Sequence, residues 1–389
     1  MDWMFEIAKN GEKTIKLNGV YLYSKYHPKE DAYRFIDSEF DSTKKIYLLF
    51  GLGLGYHAER LIELVGIQNV IIYCFDKKEK NFTNIPQKCI VDDLSQLPID
   101  ESWQILLPNC WVKALKGHPL EPFIEDIKIK QQTYNNMRSL LDENFTKNIQ
   151  LEDFECHTPQ CKKVAAIVSS GPSLNETIHW LQNIKNKVDV YAVGSALKMV
   201  LAHQIQPKAV ILSDPQSNVR FQLQGSGYTG DLLYLSTANH EAVKVHEGMR
   251  YFLCQNGYSH AEQVADQYSL PLYETGGSVA ILAFSVVEKL PYTSIILFGQ
   301  DLGFVGERTH AEGSTSGRTV NEFQELRTVR SNNGQEIYTV PNLYSYLRWF
   351  NQHVPKVSAT VYNTSKNGAK IEGTSYIDEQ SLYHFVKNL

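Results

Sequence analysis

The sequence has 389 residues, 43% of them hydrophobic and 21% charged, with a formal net charge of −5. That length exceeds one typical domain, and that balance is the balance of an ordinary folded protein. With no long basic run, it carries no electrostatic footprint for duplex nucleic acid or for an anionic membrane surface.

The first residues, Met1-Asp-Trp-Met-Phe-Glu6, turn polar at once, and no later stretch approaches the roughly 20 apolar residues needed to cross a bilayer. A cytoplasmic protein without membrane insertion is the expectation. Six cysteines, Cys74, Cys89, Cys110, Cys156, Cys161 and Cys254, stand at irregular spacing with no C-x-x-C, which suits reduced thiols. Cys156, His157 and Cys161 have no fourth ligand at zinc-site spacing, so no metal is expected there.

The apolar run Ile46 to Phe50 leads into Gly51-Leu-Gly53-Leu-Gly55 and then into helical spacing through His57, Leu61, Ile62 and Leu64. That order reads strand, glycine turn, helix. A second run, Val70 to Phe75, ends in Asp76, and an acid at the tip of the second strand is where a nucleotide ribose is often held. Gly51, Gly53, Gly55 and Asp76 are therefore candidates for an N-terminal nucleotide site. The last glycine of the dinucleotide pattern is missing, because Ala58 is followed by Glu59. A tight turn needs glycine with or without a ligand, so a purely structural turn is the alternative.

Residues 120 to 160 read as connecting helices, through Phe123 to Ile127 and Met137 to Leu141, with a boundary near 155 to 160. From Lys163 onward apolar runs at 164–168, 188–193, 209–213, 232–235, 250–253 and 294–298 alternate with helical segments at about 175–185, 196–204, 259–268 and 278–289. Such alternation implies a mainly parallel sheet covered on both faces. A further helix from Asn342 to Val354 and a strand from Ser358 to Asn363 read as core. The fold class expected is α/β: a Rossmann-like, mainly parallel sheet with helices on both faces, preceded by a smaller Rossmann-like lobe. The domains are 1–155 and 156–389.

The chemistry gathers at strand tips. After Val164–Val168 comes Ser169-Ser170-Gly171-Pro172-Ser173-Leu174-Asn175-Glu176, in which Ser173 and Glu176 have capping-box spacing. The amides of that helix start form an expected anion site. No lysine follows the turn as it would in an ATP-hydrolysing P-loop. Gly194-Ser195, Ser213-Asp214-Pro215 and Gly299-Gln300-Asp301 stand at three more tips, and a doubly wound sheet lines all of these along one crevice. Thr275-Gly276-Gly277-Ser278 opens another helix and offers a second set of amides. The polar stretch Gly303 to Thr319 has the makings of a lid, and His310 is its one histidine, suited to proton transfer near neutral pH.

These residues together resemble the motility accessory factor family of flagellin glycosyltransferases, whose core is also similar to an archaeal pterin diphosphokinase of the MptE type. The matching stretches are Phe50 to His57, Val168 to Leu174, Glu274 to Ala280, Gly299 to Phe304 with Thr309 to Gly313, and Val361 to Thr364 through Gly368 to Gly373. The core also looks like the Rossmann-type bacterial sialyltransferases. The resemblance implies transfer of a nonulosonic acid, of the pseudaminic, legionaminic or sialic type, from its CMP-activated donor to Ser or Thr hydroxyls of flagellin. It implies that Ser170, Gly171, Pro172 and Ser173 hold the donor phosphate and ribose. Gly276, Gly277 and Ser278 would hold the cytidine or the sugar carboxylate, and His310 would move the proton beside the strand-end acid Asp301. No cofactor is required on this reading.

Two alternatives stand beside it. One is a pterin pyrophosphokinase using ATP and magnesium, with Asp214 and Asp301 as metal ligands. The other is a non-catalytic flagellin-binding assembly factor, since fold does not fix function.

Overall fold

The computed structural model describes residues 1–94, 103–304 and 326–388. The described chain falls into two compact units, Met1–Asn136 with Gly257–Ser259, and Met137–Asn256 with His260–Leu389. The division lies inside one long helix.

The first unit opens with three short antiparallel strands, β1 (Trp3–Ile7), β2 (Lys13–Leu17) and β3 (Val20–Tyr21), which the sequence reading did not foresee. Then come α1 (Pro28–Glu39), β4 (Ile46–Phe50), α2 (Tyr56–Val65), β5 (Val70–Tyr73), β6 (Ile90–Val91), β7 (Trp103–Leu106) and α3 (Asn109–Ala114). Strands β4 to β7 form a parallel sheet in the order β6-β5-β4-β7. The expected strand, glycine turn and helix are therefore present. Aromatic rings fill the space on one side of the sheet: Trp111 lies 5.0 Å from Phe75, and Phe50 lies 5.4 Å from Tyr73. Helix α4 (Glu121–Asn148) follows as one continuous element where separate connecting helices were expected.

The second unit is a nine-stranded parallel sheet. Its elements are β8 (Val164–Val168), α5 (Leu174–Ile184), β9 (Asp189–Val193), α6 (Leu197–Ala202), β10 (Ala209–Leu212), α7 (Arg220–Leu223), β11 (Asp231–Leu235), α8 (His240–Lys244), β12 (Arg250–Gln255), α9 (Ser259–Tyr268), β13 (Leu272–Tyr273), α10 (Val279–Val287) and β14 (Ser294–Phe298). A hairpin of β15 (Arg327–Arg330) and β16 (Glu336–Thr339), helix α11 (Pro341–His353), β17 (Thr360–Asn363), β18 (Thr374–Tyr376) and α12 (Glu379–Lys387) complete it. The strand order is β13-β12-β11-β10-β9-β8-β14-β17-β18.

All five residues of β8, β9 and β14 are buried, as strands covered by helices on both faces must be. Small side chains at Ala165 and Ala166 let α10, apolar but for Ser285, pack across β8, β9 and β10. The chain runs from β8 outward through β9 to β13, then returns to place β14 on the other side of β8. The β8/β14 boundary is thus the point where strand order reverses, and ligands of open α/β sheets bind outside the strand ends there. Among the described residues no helix is long and apolar enough to cross a membrane.

Candidate functional site

The tips of β8 and β14 are stitched together by backbone. The Ser169 amide donates to the Phe298 carbonyl at 2.8 Å, and the Gly171 amide to the Gly299 carbonyl at 2.9 Å. Gly299 has φ +64°, and a Cβ there would lie 2.2 Å from the Ser169 carbonyl oxygen. A Cβ on Gly171 would lie 2.1 Å from Asp301 Oδ2 and 2.4 Å from the Gly299 oxygen. Both glycines are required by close approach of two strand ends.

Asp301 organises this junction. It is 7% exposed, and both carboxylate oxygens are engaged. Oδ2 accepts from the Ser173 amide and from Ser173 Oγ, each at 3.0 Å, while Oδ1 accepts from Ser365 Oγ. The Asp301 carbonyl also accepts from the Ala369 amide at 2.7 Å. Burial pushes the carboxyl above its usual range, and the bonds donated by Ser365 and Ser173 oppose that shift.

This corrects two expectations. Ser173 makes no side-chain cap to the α5 amides; its hydroxyl turns to Asp301, so the Ser173–Glu176 capping box does not form. The first amides of α5 are likewise committed: those of Leu174, Asn175 and Glu176 donate to the carbonyls of Gly171, Pro172 and Ser173 at 3.0 to 3.1 Å. The helix start expected to cradle a phosphate closes on itself and on Asp301. Asp301, expected as a catalytic acid, is bonded to that turn through Ser173.

The other candidates stand at the neighbouring strand tips. Ser170 Oγ and Ser195 Oγ, on the adjacent tips of β8 and β9, are 2.9 Å apart. Gly194, just before Ser195, is buried, and a Cβ there would meet Gln222 Oε1 at 2.2 Å. At the tip of β10 the Asp214 carboxylate accepts from the Gln216 amide at 2.9 Å, and burial raises its pKa. Pro172, half-buried, follows Gly171 on the rim. The turn Gly276-Gly277-Ser278 opens α10 at the same end of the sheet; Ser278 caps the helix through its hydroxyl, which accepts from the Ala280 amide at 3.3 Å. Both glycines have positive φ, +48° and +81°, and α11 packs beside them through Trp349 and Tyr346. His310 lies outside the described residues, as does the expected lid from residue 305 onward.

The sequence reading missed the polar seam on the β14 side. Ser169 Oγ donates to Gln300 Oε1 at 2.9 Å, Asn363 Nδ2 donates to the Gln300 carbonyl at 3.4 Å, and Thr339 Oγ1 donates to the Leu302 carbonyl at 2.8 Å. The β15–β16 hairpin is tied to the loop after β17, with Asn332 Nδ2 donating to the Ser365 carbonyl at 2.7 Å. No local motif marks these residues, because the bonds join segments 33 to 131 positions apart.

In the N-terminal unit the glycine turn is already filled. Glu79, fully buried, places Oε2 2.8 Å from both the Leu52 and Gly53 amides and Oε1 2.8 Å from the Asp76 amide. A Cβ on Gly51 would strike Trp111 at 2.0 Å, and one on Gly53 would meet the Tyr23 hydroxyl at 2.7 Å. Gly55 faces Thr83 Oγ1 in the same way at 2.3 Å. Asp76 accepts from Trp3 Nε1 at 2.9 Å and from the Lys78 amide at 3.0 Å, forming a capping box with Glu79. The amides and the acid expected to hold a nucleotide are satisfied by protein groups, so Gly51, Gly53, Gly55 and Asp76 form a structural turn. The Asp76-x-x-Glu79 spacing was the available signal.

A parallel sheet whose strand order reverses at β8/β14, with hydroxyls on adjacent strand tips, defines a Rossmann-like domain. Residues 132–307 match the family described as 6-hydroxymethylpterin diphosphokinase MptE-like. The match takes in the tips of β8, β9, β10 and β14. Its fold is shared with the structure of the Maf glycosyltransferase from Magnetospirillum magneticum AMB-1, at 14% identity and a TM-score of 0.51, covering all of this chain and 73% of that one. A 61-residue segment is 41% identical to an uncharacterized protein of Treponema pallidum (strain Nichols), covering 15% of this chain and 21% of that protein.

Proposed function

We propose that this protein is a glycosyltransferase that moves a nonulosonic acid from its CMP-activated donor to Ser or Thr hydroxyls of flagellin. The observation that carries the reading is the crevice at the β8/β14 reversal, in a fold shared with a Maf glycosyltransferase. In this reaction the acceptor oxygen attacks the anomeric carbon, the bond from that carbon to the phosphate oxygen breaks, and CMP leaves with the bonding pair. The acceptor proton passes to a base, and His310 is the residue assigned that role.

The Ser170 and Ser195 hydroxyls are assigned to the donor phosphate or ribose, with Gly171 and Pro172 beside them. Asp214 and the Gly276-Gly277-Ser278 turn are assigned to the remaining polar groups of the donor. Asp301 and Ser173 act through position, holding the start of α5 so that Ser170 keeps its place. Neutral hydroxyl donors suit a donor with a single phosphate, since a triphosphate calls for cations or a metal.

The described family name favours a second reading, a diphosphokinase taking ATP and magnesium. It required Asp301 as a metal ligand, and both oxygens of that carboxylate are engaged by Ser173 and Ser365. The test is transfer to purified flagellin from a CMP-activated nonulosonic acid, followed by intact mass. The wild type is expected to add the sugar mass, and His310→Ala to lose transfer while keeping CMP affinity. Equal transfer by the variant removes His310 from the mechanism, and no transfer with any such donor removes the reading.

A further inference from the structure

The last turns of α4 carry Asn144 and Asn148, one helical turn apart and so on one face. Asn144 is 4% exposed and Asn148 is fully buried. Buried side-chain amides are costly unless bonded, so their partners show what they are for. Asn144 Nδ2 donates to the Pro215 carbonyl at 3.0 Å, and its Oδ1 accepts from the His240 amide at 3.1 Å. Asn148 Nδ2 donates to the carbonyls of Ser236 and Ala238 at 3.0 and 2.8 Å, and its Oδ1 pairs with His240 Nδ1 at 3.0 Å. Asn239 closes the network: its Nδ2 donates to the same Pro215 carbonyl at 3.2 Å, and its amide to the Asp214 carbonyl at 2.9 Å.

All these bonds end on two loops, those leaving the tips of β10 and β11. One of them carries Asp214. A neutral amide both donates and accepts, so a single side chain can bind carbonyls of one loop and an N–H group of the other; neither a carboxylate nor an alkyl chain can do this. We propose that Asn144 and Asn148 are positioning residues of the crevice, a clasp that fixes the backbone of Asp214-Pro215 and Ser236–Ala238 and thereby sets nucleotide affinity without touching the ligand. The affinity part rests on the nucleotide reading above; the clasp itself does not.

The test uses the full chain with Asn144→Ala, Asn148→Ala and Asn144→Asp, the last keeping the acceptor for His240 while losing the donor to Pro215. Hydrogen–deuterium exchange is followed alongside CMP titration. Asp153→Asn serves as control: Asp153 accepts from the Tyr234 hydroxyl and from Arg250, and makes none of the bonds to the two loops. The clasp predicts faster exchange confined to 213–217 and 236–240, CMP affinity about tenfold weaker in the alanine variants, and at least as large a loss in Asn144→Asp, which turns an acceptor toward the Pro215 carbonyl. The control is expected to lower the unfolding midpoint yet keep CMP affinity within about twofold. Unchanged exchange in both loops, or the same affinity loss in the control, overturns the proposal. If Asn148→Ala does not fold, the two Asn144 variants decide. If the wild type binds no CMP, the nucleotide reading fails, and the exchange pattern still decides the clasp.

Discussion

Asp301 shows how a residue type can be legible and its task not. An acid at the tip of β14 was foreseeable from Gly299-Gln300-Asp301, but the groups that consume its oxygens, Ser173 and Ser365, are 128 and 64 positions away. Asp301→Asn would turn an N–H group toward donors, and should lower stability by about 1–3 kcal/mol and abolish CMP binding; chemical denaturation and titration check both. His57 is a second buried group with a consequence. It stacks on Tyr23, its Nδ1 has no hydrogen-bond partner among the described residues, and burial pushes its pKa from 6.5 down to about 3. The folded state thus refuses a proton that the unfolded chain accepts below pH 6.5. The stability from neutral His57 is fully present above that pH and is lost progressively as pH falls toward 3. Between pH 6.5 and 5 the loss is about 2 kcal/mol, and His57→Leu should remove that slope in urea melts at the two pH values. An unchanged slope in the variant would contradict the assignment.

At the scale of elements, apolar runs located seven of the nine strands of the large sheet to within about two residues, because strands buried on both faces write themselves as uninterrupted hydrophobic segments, while the short edge strands β13 and β18 escaped. The hairpin Arg327–Arg330 with Glu336–Thr339 escaped, since its strands are half polar and only their pairing reveals them. The two glycine turns teach the complementary lesson. Sequence shows that amides are presented, not which group takes them, and in both turns a carboxylate of the same unit does: Glu79 in the first, Asp301 in the second. Glu79→Ala should therefore destabilise the N-terminal unit, followed by the fluorescence of Trp3, Trp103 and Trp111, with stability partly restored by formate but not by chloride at equal ionic strength. A variant as stable as the wild type would show that the turn does not depend on Glu79.

At the scale of the molecule, the parallel sheet places its candidate site at the β8/β14 reversal, while the Leu52 and Gly53 amides of the N-terminal turn are taken by Glu79. The chain should accordingly bind one nucleotide. The direct measurement is titration calorimetry of the whole protein with CMP and, separately, with ATP plus magnesium in the same buffer. Saturable CMP binding at one site per chain, with no response to ATP and magnesium, is the predicted result. Binding of ATP with magnesium and not of CMP, or of neither, would contradict the account.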